Sequence, residues 1–239
     1  MTRVKFTVSW FLFSLISFPF LAYYNFDVTL AVFAIIWAWL VMLIGQVLAA
    51  HRYFVHTSFE ANVFQQIVMN VFLTLGFQGT SQDWIVSHSY HHRFADTETD
   101  PTNIKVIGWF KNYTSLWQLE SPVSMPSVRL SLRSLQNPIT KFFHNNYYAI
   151  WLIWAVVLLL ISFDVFVWFF FLPVIFSHCF MNLQNHLGHR SDVSYVINAL
   201  APGDGYHRYH HENPRDFKFG KYDFVAFLIK TVFSKKVYK

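Results

Sequence analysis

The amino-acid sequence predicts an all-α integral membrane protein, with four transmembrane helices in two hairpins and a cytosolic helical cap that carries clustered histidines. Sparse charge, four long apolar runs and the placement of the histidines lead to this prediction. Of 239 residues, 54% are hydrophobic, 21% are aromatic and only 13% are charged. A soluble domain carries about twice that share of charged residues, so lipid is the expected solvent for much of this chain.

Four segments reach the length of a membrane-spanning helix, which needs about 20 mostly apolar residues and at least about 17. They cover about 6–24, 28–50, 146–162 and 165–186. Residues 25–27 separate the first two segments, and the turn Ser162-Phe163-Asp164 connects the last two, so each pair predicts a hairpin. The first run lacks a small-residue cleavage site, and we therefore interpret it as a retained span. A single domain follows, with its cap formed by 51–145 and 187–239.

The basic residues predict the orientation. All 18 Lys and Arg residues fall in 1–5, 52–141 or 190–239, and neither hairpin contains one. The positive-inside rule then assigns both termini and the cap to the cytosolic side, of either a bacterial plasma membrane or the endoplasmic reticulum. The net charge of +5 does not indicate nucleic-acid binding, because basic residues beside apolar spans typically face anionic lipid. The lone Cys179 excludes an intrachain disulfide.

Two segments of the cap differ from the spans. Segment 59–80 contains Gln65, Gln66, Asn70 and Gln78, which are costly in hydrocarbon, so a helix in the membrane interface is expected rather than a fifth span. Segment 104–141 contains three prolines and predicts an irregular loop with short helices.

Nine of the 12 histidines lie on the predicted cytosolic side or at its boundary. They are His51, His56, His88, His91, His92, His186, His207, His210 and His211. Two HxxHH patterns stand out, because residues i, i+3 and i+4 share one face of a helix and can present three imidazoles to one point. Imidazole is a ligand for iron, zinc and copper.

The pair His51 and His56 is spaced differently. Five residues of an α-helix with 3.6 residues per turn place two side chains roughly 140° apart. The pair serves one centre only if the helix breaks between them, and otherwise it serves two metals. Nine imidazoles exceed the roughly four to six ligands of one ion, so two metals are expected. Asn182 lies one turn before His186, where its amide can hold a metal-bound water. His144 and His189 are interpreted as ordinary cytosolic residues, and His178 as a buried, hydrogen-bonded one.

Four motifs resemble those of the stearoyl-CoA (delta-9) branch of the membrane fatty acid desaturases. They are HRYFVH at 51–56, DW at 83–84 with HSYHH at 88–92 and DTETDP at 96–101, Asn-x-x-x-His at 182–186, and GDGYHRYHH at 203–211 followed by Pro214 and Asp216-Phe217. The sequence departs from that pattern at Ser89, where the family has Arg, and at Thr102, where it has His.

The resemblance implies two iron ions, held by the nine histidines and, through water, by Asn182. It implies O2 as co-substrate and a bent apolar tunnel for a fatty acyl chain bound to CoA or to lipid. It implies a cis double bond, at the delta-9 position, made with two electrons from a separate donor of the ferredoxin or cytochrome b5 type. Asp96, Asp100 and Asp204 are then candidate acceptors for the N–H groups of the ligand histidines.

Two other functions stay open at this point. A hydroxylase on the same di-iron scaffold would use the same ligands, because a small shift of the substrate carbon changes the product. A metal transporter would need ionisable residues deep in the spans, and only His178 lies there.

Overall fold

The computed structural model describes residues 2–120 and 136–238, and these are mostly helical. The helices are α1 Arg3–Tyr24, α2 Val28–Val55, α3 Val63–Leu75, α4 Ser81–Phe94, α5 Ile104–Tyr113, α6 Trp117–Glu120, α7 Pro138–Asn145, α8 Tyr147–Ile161, α9 Phe163–Leu187, α10 Tyr195–Leu200, α11 His207–Glu212 and α12 Phe224–Phe233. Two short strands, β1 Phe59–Glu60 and β2 Lys236–Val237, pair antiparallel. This strand pair joins the C-terminal segment to the chain just after α2.

Three helices, α1, α2 and α9, are long and apolar enough to cross a membrane. The remaining predicted span corresponds to α8, which has 15 residues and meets α7 at an angle of 66°. Helix α8 reaches the length and hydropathy of a span only when it is taken together with α7. The fold therefore agrees with a helical membrane protein, while the count of four spans and the arrangement in hairpins stay predictions.

The long helices bury small residues against one another and expose large ones. Ala34 and Ala38 of α2 are fully buried beside Trp168 of α9. Small residues let the backbones of two helices approach closely, and contacts between membrane helices are enriched in them. On the outer surfaces, Phe20 is 69% exposed and Leu160 is 81% exposed. Large apolar side chains on the outer surfaces agree with a lipid-facing surface.

Helix α3 lies across the second half of α2. With 13 residues it is shorter than the roughly 17 residues that a span needs, which agrees with a cap helix. The crossing depends on Gly45, because a Cβ atom there would lie 2.6 Å from the backbone of Phe72. The predicted loop 104–141 contains α5, α6 and part of α7, and its residues 121–135 lie outside the described part of the chain.

A buried arginine joins the end of α2 to the C-terminal segment. The guanidinium of Arg52 is fully buried and donates to Asp204 at 3.1 Å and to Asp223 at 2.9 Å. The ring of Phe219 covers it, with 3.9 Å between the guanidinium carbon and the ring centre. Gly203 lies against this cluster with φ of 117°, a backbone conformation that favours glycine. A Cβ atom at this position would also clash with the carboxylate of Asp223. This cluster holds α11 against α2.

Candidate metal centre

Five histidines from three helices form the first group, which we call the five-histidine group. Its members are His51 and His56 at the end of α2, His88 and His92 on α4, and His210 on α11. One ring nitrogen from each lies within 4.8 Å of those of the others. The Nε2 atom of His210 lies 2.9 Å from that of His51 and 3.0 Å from that of His92. These distances bring the imidazoles to a single point.

The pair His51 and His56 shares this group without a break in the helix. Residues Val41–Val55 have π-helical hydrogen bonding, in which each N–H donates to the carbonyl five residues earlier. The N–H of His56 donates in this way to the carbonyl of His51 at 3.1 Å. An i→i+5 bond stacks residues five apart on one face, so both imidazoles reach the same point. The α-helical geometry assumed for the sequence does not apply at this pair.

Four histidines form the second group, the four-histidine group. Its members are His91 on α4, His189 just after α9, and His207 and His211 on α11. The Nε2 atom of His207 lies 3.0 Å from that of His189 and 3.1 Å from that of His211. The two groups touch, since the ring of His92 stacks on that of His211 with 4.1 Å between their centres. Each HxxHH pattern therefore divides its imidazoles between the two groups.

Carboxylates fix the outer nitrogen of several rings. Asp100 lies 3.0 Å from Nδ1 of His91, Asp204 lies 3.4 Å from Nδ1 of His51, and Asp96 lies 3.2 Å from Nδ1 of His189. A histidine that donates its Nδ1–H to a carboxylate keeps Nε2 free as a metal ligand. All three carboxylates singled out in the sequence thus contact a histidine of the two groups. Thr102, the residue that departs from the family pattern, also contacts Nδ1 of His91, at 2.8 Å.

Burial favours the neutral form of several of these imidazoles. It lowers the pKa of His88, His207 and His210 well below the usual range, and the neighbouring histidines lower it further. Burial likewise lowers the pKa of His92 to about 2. Burial alone would raise the pKa of Asp100, but the hydrogen bond and the charge interaction with His91 lower it overall. Neutral imidazole is the form that binds a metal.

The nitrogen atoms fit metal coordination better than they fit hydrogen bonding with one another. With metal–nitrogen bonds of about 2.1 Å, ligands at right angles are about 3.0 Å apart, as the Nε2 atoms are here. In the five-histidine group, Nε2 of His56 is buried without a hydrogen-bond partner among the described residues. Converging neutral nitrogens without protons to share repel one another, and a cation at the centre of each group removes that cost.

No protein-family model matches the chain. The curated proteins that it matches include several acyl-CoA desaturases. The Acyl-CoA Delta(11) desaturase of Trichoplusia ni is 28% identical, over 73% of this chain and 56% of that protein. The Stearoyl-CoA desaturase of Homo sapiens is 27% identical, over 81% of this chain and 62% of that protein. The Acyl-CoA Delta-9 desaturase of Acheta domesticus is 25% identical, over 83% of this chain and 61% of that protein.

The chain is similar to acyl-CoA desaturases over most of its length. Its relatives are oxidoreductases, and they act at different positions of the acyl chain, as their names Delta(11) and Delta-9 state. The chain spans about three fifths of the length of these desaturases. The three long apolar helices and the similarity to desaturases both support a membrane protein.

The desaturase pattern Asn-x-x-x-His occurs twice in this sequence, in overlapping registers. The sequence analysis selected Asn182 and His186, but the same spacing joins Asn185 to His189. The structure brings His189 into the four-histidine group and leaves His186 outside both groups, with its Nδ1 atom 2.5 Å from the hydroxyl of Tyr113. His189, interpreted from sequence as an ordinary cytosolic residue, is therefore a site residue that the analysis missed.

The two asparagines differ in the same way. Asn182 is fully buried. Its side-chain amide donates to Ser115 Oγ at 3.0 Å, and its backbone carbonyl accepts from the side chain of Asn112 at 2.7 Å. Asn185 instead lines a cavity beside the histidines. The overlapping copy of the pattern was the signal in the sequence, and only the end of α9 distinguishes the two registers.

The two remaining histidines have structural partners. His178 is fully buried and stacks on Phe11, and its ring nitrogens lie 3.1 Å from the carbonyl of Phe77 and 3.2 Å from Ser115 Oγ. This agrees with the interpretation of His178 as a buried, hydrogen-bonded residue. His144 contacts Arg3 and Thr80 away from both groups.

A cavity of about 290 Å³ adjoins the histidines, near the roughly 300 Å³ lower limit of ligand pockets. His51, His88, His91 and His207 are among its lining residues. The first residues of α1, including Arg3 and Thr7, line it as well. The lining also contains apolar residues, such as Val47, Trp84 and Phe180, and several amide side chains. A substrate in this cavity would lie against both histidine groups.

Proposed function

We propose that this chain is a di-iron fatty acyl desaturase, which inserts a cis double bond into a saturated acyl chain with O2 and two electrons. The expected position of the double bond is delta-9. The observation that carries the proposal is the pair of adjacent histidine groups beside a ligand-sized cavity. The similarity to desaturases over most of the chain agrees with it.

Iron is the metal that suits the proposed reaction. Imidazole binds zinc, copper and iron, but zinc has no redox chemistry. Removing one hydrogen from each of two neighbouring methylenes, and reducing O2 to two waters, consumes two electrons and two protons. A pair of iron ions would supply that redox chemistry. The proposed ligands are the five-histidine group for one ion, and the four-histidine group with a water held by Asn185 for the other.

The residues of this chain would position the ligands and exclude water. Asp100 and Asp204 would accept Nδ1–H of His91 and His51, which directs the Nε2 atoms inward. Buried neutral imidazoles leave no competing proton at the site. The cavity would hold the acyl chain against the two groups, so that the reacting carbons lie next to the metals.

The same proposal includes the membrane arrangement. Four spans, counting α7 and α8 as one, would place both termini and the histidine groups on the cytosolic side. The distribution of Lys and Arg supports this orientation. A separate protein of the ferredoxin or cytochrome b5 type would deliver electrons there, and the acyl chain would arrive on CoA or in a lipid.

Expression of the chain in a host with known fatty acids tests the proposal. Gas chromatography with mass spectrometry should show new mono-unsaturated acyl chains, and the bond position gives the regiochemistry. A His91→Ala and His210→Ala double variant, which removes one imidazole from each group, should make none. Hydroxylated chains, heavier by one oxygen, would replace the desaturase proposal with the hydroxylase alternative. An unchanged lipid profile from protein that binds no iron would refute both.

A further inference from the structure

Amide side chains line much of the cavity beside the histidines. They are Gln46, Gln78, Gln82, Gln118, Gln184 and Asn185. A cavity for a plain methylene chain is best lined by hydrocarbon, because a buried polar group without a partner costs about 1–3 kcal/mol. Any of these amides that lacks a partner therefore requires an explanation other than the binding of a saturated chain.

Several of these amides have an unpartnered atom in the described part of the chain. The carbonyl oxygens of Gln46 and Gln78 accept no hydrogen bond, and the nitrogen of Gln118 donates none. Gln46 is only 6% exposed and Gln78 only 8%, so bulk water does not solvate them. Native proteins keep few such groups, and a cluster of them around one cavity indicates that its occupant supplies the partners.

Gln46 lies close along the chain to His51, a histidine of the site. It precedes His51 by five residues within the π-helical stretch Val41–Val55, as His51 precedes His56. Residues five apart share one face there, so Gln46 lies one turn from His51 on the same face. The separation along the axis is at most about 7.5 Å, at roughly 1.5 Å per residue. Both side chains line the cavity.

We propose that the preferred substrate carries an oxygen function, namely a hydroxyl group, within a few carbons of the reacting carbon, and that Gln46 recognises it. A hydroxyl both donates and accepts, as an amide does, so one group satisfies the carbonyl or the nitrogen of Gln46. This inference rests on the proposed function, since it specifies which acyl chains that site takes. Gln46 acts here on specificity, and the histidines keep their proposed role as metal ligands.

A displacement experiment on the purified full chain in detergent tests the inference without turnover. Radiolabelled octadecanoic acid is displaced by unlabelled octadecanoic acid or by a set of isomeric hydroxyoctadecanoic acids, each with a single hydroxyl at one of positions 7 to 13. At least one isomer should bind about tenfold more tightly than the plain chain, since one hydrogen bond contributes about 0.5–1.5 kcal/mol. In Gln46→Leu that preference should fall to about twofold or less. Gln136→Leu, at an exposed position, should keep it.

Three results would overturn the inference: no isomer binds more tightly than octadecanoic acid, the preference survives in Gln46→Leu, or neither chain binds. Thermal unfolding checks the variant itself. Gln46→Leu should unfold at the same or a higher temperature, because it removes an unpartnered amide, and a lower temperature would mean that Gln46 has a structural partner.

Failure of the proposed function would look different. The wild-type chain would then make no unsaturated product from any acyl chain, whatever the binding preference. If only the present inference failed, the wild-type chain would still desaturate plain acyl chains.

Discussion

The two histidine groups differ in what fixes their rings. In the four-histidine group, Asp100, Asp96 and the amide of Gln184 contact the Nδ1 atoms of three of the four rings, at 3.0, 3.2 and 2.7 Å. In the described part of the five-histidine group, one carboxylate does so, Asp204 at 3.4 Å from His51. The Nδ1 atom of His210 is buried there without a hydrogen-bond partner.

The difference shows two ways to orient a ligand. Hydrogen bonds to carboxylates orient rings of the four-histidine group and raise the basicity of their ligand nitrogens. Helix geometry and packing orient the five-histidine group, through the π-helical end of α2 and the buried Arg52 cluster. Substitutions of acidic residues should therefore affect the metal at the four-histidine group. Substitutions in α2 and its packing should affect the metal at the five-histidine group.

The largest expected effect distinguishes the two registers of the Asn-x-x-x-His pattern. His189→Ala removes an imidazole from the four-histidine group and should reduce desaturation to background. His186→Ala breaks one contact with Tyr113 outside both groups and should keep most of the activity. Product yield per amount of purified protein measures both. Loss of activity in His186→Ala with retention in His189→Ala would reverse the assignment.

Removal of the buried arginine tests the packing that holds the five-histidine group. Arg52→Met leaves Asp204 and Asp223 buried without their cation, and breaking such a pair typically costs about 3–5 kcal/mol. The thermal midpoint in detergent should fall accordingly. Arg208→Met, which breaks an exposed ion pair with Asp192, is the control and should change stability by less than about 1 kcal/mol. Equal effects would mean that the Arg52 cluster does not hold the cap.

The carboxylates should affect the two metals unequally. Asp100→Asn should weaken metal binding at the four-histidine group by about 10–100-fold, the usual effect of removing such a partner. Asp204→Asn should weaken the five-histidine group less, because its contact with His51 is longer and the fixed helix also orients that ring. Competition with a chromophoric chelator measures both affinities. A larger loss in Asp204→Asn would contradict the comparison.

The smallest expected effect is that of Asp96→Asn. Its carboxylate contacts His189 but is 69% exposed, so water competes for that hydrogen bond. Metal affinity should fall by less than about threefold, within the range of exposed ion pairs. The same chelator assay, run beside Asp100→Asn, compares a buried with an exposed partner of one group. A loss as large as that of Asp100→Asn would mean that burial does not set the strength of these contacts.

Apolar length and histidine spacing carried most of what the sequence predicted. The runs at 6–24, 28–50 and 165–186 correspond to α1, α2 and α9, because helix length in lipid depends on local composition alone. Both HxxHH patterns lie on helices and contribute to the histidine groups. Asp100 and Asp204, singled out through the family resemblance, do contact histidines.

The remaining features depend on tertiary packing. The spacing of His51 and His56 was analysed with α-helical geometry, but π-helical hydrogen bonding replaces it at the end of α2. The sequence offers no marker for that change, because its residues are compatible with either form. The choice between His186 and His189 depends on where α9 ends against α4 and α11. The amide lining of the cavity combines residues from five segments of the chain, which no local pattern joins.

The metal content of the purified full chain shows directly whether the two histidine groups are two separate iron sites. Protein produced with added iron would be analysed by inductively coupled plasma mass spectrometry, as wild type and as His56→Ala and His211→Ala, one variant for each group. We expect two iron ions per wild-type chain and the loss of one in each single variant. Both should be lost when the substitutions are combined. A wild-type chain without iron, or a single ion that both variants lose alike, would contradict the existence of two separate metal sites.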